Sequence, residues 1–182
     1  MLYDSRPGAA RNRAIVHPQH WYTYSAIIAN APTSLPALIR KSFSPGIPGA
    51  ENAAIDYENN RIFVASGSNT SVNSFDFDID DNVTTADIVP SVNILIEPAF
   101  DALGLEPPEL GIQDITCVAM SSKGYILATV VPMNHSITNG WLAFINPTNQ
   151  SVFHLLEMED CFLPDHVIST FDGDTILVSC EV

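Results

Sequence analysis

One arrangement recurs three times in this chain of 182 residues: a β-rich run, a polar turn and a second β-rich run, starting near Ala53, Ile115 and Asp165. The first unit reads as strands at 52–57, 61–66 and 71–79, separated by turns at 58–60 and 67–70. A fourth strand fits "DIVPSVNILIE", with Pro90 suited to an edge. "PAFDALGLEPPELGIQD" is a connection with one helical turn, Pro98 suiting its first position and Gly104 its exit. The pattern then returns in "ITCVAMSSKGYILATVV" and "GWLAFINPTNQSVFHLLEM", and again at 165–170 and 175–182 around "FDGD". Helical periodicity is nearly absent, and 13 Pro and 9 Gly punctuate the chain.

Self-similarity with about four strands per unit predicts an all-β fold, the antiparallel four-stranded blades of a β-propeller. A β-sandwich built of similar hairpins is the alternative. Residues 49–182 supply about two and a half blades, the last ending after its second strand, so the ring is expected to be incomplete within this sequence. Its missing strands would come from further chain or from another molecule. "SFSPGIPGAEN" marks the boundary between this body and a basic, Pro-containing arm at 1–48.

Charge divides along the same boundary. Net charge is −14, yet five of the seven Lys and Arg (Arg6, Arg11, Arg13, Arg40 and Lys41) precede residue 42, beside a single acid, Asp4. An acidic body repels nucleic acid and anionic membrane, which excludes nucleic acid as a partner and leaves divalent cations, basic partners or the arm itself. No apolar run is long enough for a membrane span. In the arm, "HPQHWYTYSAIIA" alternates Tyr22, Tyr24, Ala26 and Ile28 as a strand would. It is read as closing the chain's own last blade, or as a donor strand completing another copy. "ARNRAIVHPQHWYTYSAIIANAP" loosely imitates a secretory signal. Thr23, Ser25 and Asn30 interrupt it and Pro32 follows the apparent cleavage site, so it is taken as arm.

"GAENAAIDYENNRIFVASGSNTSVNSFDFD" resembles the opening blade of the choice-of-anchor I domain, through Gly49, Ala50, Glu51, Asp56, Arg61, Phe63 and Val64. "LPDHVISTFDGDTILVSCEV" resembles a later motif of that family, through Leu163, Pro164, Asp165, Thr170, Asp172, Gly173, Leu177, Val178 and Glu181. The resemblance covers about 49–182. It implies a propeller of the YVTN-like, seven-bladed type, extracellular or attached to the cell surface, as in mesenchyme-specific cell-surface glycoproteins and mineralising matrix.

Four N-glycosylation sequons begin at Asn69, Asn82, Asn134 and Asn149, in or beside expected inter-strand turns where attached glycans would be accommodated. "FDFDIDDN" spaces Asp76, Asp78 and Asp80 two apart, like the first half of a calcium loop. However, Asp81 stands where such a loop needs Gly, and Asp87 where it needs a bidentate Glu. Alternation puts these carboxylates on one solvated face. Calcium (Ca2+) binding here, by Asp76, Asp78, Asp80, Asp81 and Asn82, is expected only as a weak site. The cysteines Cys117, Cys161 and Cys180 form no metal or redox motif, and allow either one disulfide or three thiols. The five histidines do not cluster, and Asp165 and His166, adjacent on a strand, are expected on opposite faces. No catalytic residue is singled out.

The reading is an extracellular, glycosylated propeller module with a structural or adhesive role in a surface coat, matrix or filament. Its expected partners are copies of itself or related matrix and surface proteins. The rival is a secreted metal-dependent phosphoesterase-type enzyme using Asp residues from several blades.

Overall fold

The computed structural model describes residues 24–28, 39–43, 49–76 and 90–181. The chain divides into two compact units, residues 1–46 with 80–89, and residues 47–79 with 90–182. In the first unit, strands β1 (Tyr24–Ile28) and β2 (Ile39–Phe43) pair antiparallel, from Tyr24 opposite Phe43 to Ile28 opposite Ile39.

Among its described residues the second unit is all-β apart from one short helix. Its first sheet is a meander of β3 (Ala50–Asp56), β4 (Arg61–Ser66), β5 (Ser71–Asp76) and β6 (Val92–Leu95). Helix α1 (Glu97–Ala102) follows, with Pro in its first turn and Gly104 beyond its end at φ +70°. The second sheet is β7 (Ile112–Met120), β8 (Ile126–Pro132), β9 (Trp141–Asn146) and β10 (Ser151–Glu157), again in chain order. β11 (Leu163–Ser169) and β12 (Ile176–Glu181) form a two-stranded third sheet. The three expected units are therefore present as antiparallel, propeller-like sheets. Among the described residues no sheet closes on itself, and stacking of this kind is also compatible with a sandwich.

The stacking follows from side-chain alternation. Every residue of β8 is buried, because its two faces meet different sheets. Ile126, Ala128 and Val130 join Phe63, Ala65, Val72, Ile94, Ile96 and Phe100 of the first sheet and the α1 region in one core. Leu127 turns the other way, with Cys117 and Leu142, to meet Val167, Ile176 and Val178 of the third sheet. Fully burying a side chain such as Phe63 or Phe100 contributes about 1.5–3 kcal/mol. Trp141 packs edge-on against Phe100, ring centroids 5.0 Å apart. β7 touches both β3 and β11, so the first strands of successive sheets lie side by side.

Polar clamps join the sheets. Arg61 Nη1 donates to the carbonyls of Pro147 (2.7 Å) and Thr148 (3.2 Å) in the β9–β10 turn. Ser74 donates to the side-chain carbonyl of Gln150 in the same turn. Thr116 Oγ1 donates to the Pro164 carbonyl at 2.7 Å, tying the second sheet to the third. A disulfide links Cys161, just before β11, to Cys180 in β12, with Cα atoms 5.4 Å apart, and Cys117 is a buried free thiol. This resolves the alternatives left by the odd cysteine count.

Candidate functional site

Each of the three first strands carries a register shift near its entrance. The shifts fall between Ala50 and Ala53 in β3, between Ile112 and Asp114 in β7, and between Pro164 and His166 in β11. A bulge re-aims the side chains around the extra residue. Here the bulges sit beside Glu51, Asp114 and Asp165, one carboxylate from each sheet, and their charges are close enough to act on Glu51. The result is an acidic mouth shared by three sheets.

The three carboxylates differ in environment. Glu51 is exposed as a residue, yet its pKa is raised by burial of the carboxyl and then by the charges of Asp114 and Asp165, with His166 opposing them. Asp114 is half-buried. Burial raises its pKa, against a hydrogen bond from the Ile115 amide that lowers it. Its Oδ1 is shut off from solvent with no hydrogen-bond partner, as is Asn52 Oδ1. Gly67, in the β4–β5 turn, lies so close that a Cβ there would overlap the Asp114 carboxylate. Asp165 Oδ2 lies 2.8 Å from His166 Nδ1, an exposed pair.

That pair corrects the expectation that Asp165 and His166 point to opposite faces. Strict alternation fails at the bulge, which puts both side chains on one side of β11. Among the described residues no three His, Cys, Asp or Glu side chains stand close enough to hold a metal ion. What the mouth offers is concentrated negative potential with two buried, unpartnered oxygens, Asp114 Oδ1 and Asn52 Oδ1. The sequence reading names Glu51 and Asp165 through the family resemblance but neither Asp114 nor the meeting of the three. Its signal was the recurrence of Asn52, Asp114 and Asp165 at one offset in "GAEN", "GIQD" and "FLPD", with Glu51 one residue before Asn52.

The expected glycosylation sites lie on turns where they are described. Asn69 is exposed in the β4–β5 turn, although Ser71 of its sequon is buried. Asn134 is half-buried in the β8–β9 turn, where Ser136 donates to its side-chain carbonyl at 3.1 Å. Asn149 is exposed in the β9–β10 turn and accepts from Ser151 at 2.8 Å. Of the calcium candidates, Asp76 is exposed and ion-paired with Arg61 at 2.8 Å. Asp78, Asp80, Asp81 and Asn82, the last also a sequon, lie outside the described residues, as does Asp87. No helix among the described residues is long and apolar enough to cross a membrane.

No protein-family model matches the chain, and no curated protein does. Solved structures share its fold. Hydrazine synthase from Kuenenia stuttgartiensis superposes with a TM-score of 0.52 at 14% identity, over 88% of this chain and 36% of that one. A luciferin-regenerating enzyme superposes with a TM-score of 0.53 at 10% identity, over 92% of this chain and 52% of that one. The chain thus spans between about a third and about half of the solved chains it resembles, and at these identities the likeness is one of fold.

Proposed function

We propose that the chain is part of a secreted, N-glycosylated β-propeller of the choice-of-anchor I kind, serving as a structural or binding module of a cell surface or extracellular matrix. The observation that carries the reading is the Cys161–Cys180 bridge. Disulfides persist in oxidising compartments and are rare in the cytosol. The exposed turn positions of Asn69 and Asn149 support it, since a glycan there meets no packed neighbour. The acidic mouth and the body's charge favour basic partners, among them the basic arm of another copy of this chain or a basic face of a related surface protein. The resemblance over about 49–182 supports the choice of family.

The test is the intact mass of the natively sourced protein under non-reducing conditions, before and after enzymatic removal of N-glycans. The expected result is a fall of at least one glycan, with Asn69 or Asn149 converted to Asp by the enzyme, and a tryptic pair joined through Cys161 and Cys180. An unchanged mass together with three alkylatable thiols would sink the proposal.

A further inference from the structure

Asp114 enters between the first and second sheets, where charge is hardest to keep. Its Oδ1 has neither solvent nor a hydrogen-bond donor, and the backbone of Gly67 closes over it. Burying a carboxylate oxygen in this way penalises the charged form and leaves the neutral acid, which carries its own donor, better suited to the site. The neighbouring charge is of the same sign. β3 brings Glu51, while β11 brings Asp165 with His166 paired to it. β8 carries no titratable group, and Asp56, Arg61 and Asp76 lie at the opposite ends of β3, β4 and β5.

We propose that Glu51 and Asp114 form a proton-operated brace between the first two sheets, in which uptake of a proton relieves their repulsion, supplies the buried oxygen with a hydrogen and tightens the contact between β3 and β7.

The titration directions agree with it. Glu51 is raised above its ordinary 4.5, by burial first and by Asp114 next, and Asp114 is raised above its ordinary 3.8 by burial. In the window above those values the folded protein holds protons that the unfolded chain has released. Stability contributed by protonation is therefore complete below the unfolded values and is lost as pH rises through the folded ones. Each group changes the ratio of folded to unfolded protein by at most about tenfold per pH unit within that window.

The experiment follows thermal melts of the full chain from pH 4.5 to 8, for the wild type, Asp114→Asn, Glu51→Gln and the exposed control Glu109→Gln. Amide exchange of β3 and β7 is followed alongside, corrected for its intrinsic pH dependence. The amide of Asn mimics the protonated acid. Asp114→Asn and Glu51→Gln should both raise Tm at pH 8 and flatten its fall with pH, while Glu109→Gln follows the wild type. Protection of β3 and β7 should increase towards acid in the wild type but not in Asp114→Asn. The proposal is overturned if Asp114→Asn lowers Tm at pH 8 or fails to fold. It is overturned equally if only Glu51→Gln responds, or if the control flattens the profile as much as the other two.

Discussion

Arg61 offers a measure of what the sheet-to-sheet clamps contribute. Its Nε donates to Asp76 Oδ1 at 2.8 Å within the first sheet, and its Nη1 reaches two carbonyls of the second. The two sets of contacts differ in environment. The Asp76 side chain is 61% exposed, so that ion pair contributes only about 0–1 kcal/mol. The Arg61 side chain is 21% exposed, and a hydrogen bond from a charged donor contributes about 1.5–3 kcal/mol. The 2.7 Å bond to Pro147 should dominate over the 3.2 Å bond to Thr148. Arg61→Ala should therefore cost about 2–4 kcal/mol, against less than about 1 kcal/mol for Asp76→Ala. Arg61→Lys, which keeps the charge but loses the planar fork, should fall between them. Urea unfolding in a Trp21→Phe background would leave Trp141, packed on Phe100, as the fluorescent reporter. If Arg61→Ala and Asp76→Ala cost the same within about 0.5 kcal/mol, the carbonyl bonds hold nothing together and the reasoning fails.

Four further outcomes test other parts of the chain. Gly67→Ala should overpack the Asp114 carboxylate and cost about 1–3 kcal/mol; adding Asp114→Ala should recover part of that loss, and strictly additive melting shifts would refute the contact. The Cys161–Cys180 bridge spans a sequence separation of 19, so replacing both with Ser should cost about 3 kcal/mol on the chain-entropy account. Burial pushes the Cys117 thiol up, so a thiol reagent should titrate nothing in the native protein and one group per chain in denaturant; three groups would show that the bridge is absent. Asp80→Asn with Asp81→Asn should abolish any calcium site in the acidic run, of about 10⁻⁴–10⁻³ M as in extracellular modules; unchanged calorimetric titration would remove that run from consideration.

The strands were legible because each repeat obeys local rules. β4 and β8 read as apolar runs bounded by Asn, Gly and Ser turns, and the structure starts β4 at Arg61 as expected. Pro98 and Gly104 marked α1 correctly, since one fits a first helical turn and the other takes a left-handed φ. β5 is described as far as Asp76, and the expected continuation to residue 79 lies outside the described residues. The mouth was not legible from local rules. Alternation assigns Asp165 and His166 to opposite faces, and only a register shift against β12 brings them together. Register depends on the partner strand, so it cannot be read from β11 alone. The same holds for Asp114, whose burial is imposed by Gly67 some 47 positions earlier in the chain. A carboxylate that looks like an ordinary surface acid in "GIQD" becomes half-buried with one oxygen shut off from solvent, because its neighbours come from another sheet. Sites assembled at the entrances of successive sheets are written as a recurring offset across repeats, and here that offset places one acid or amide in each.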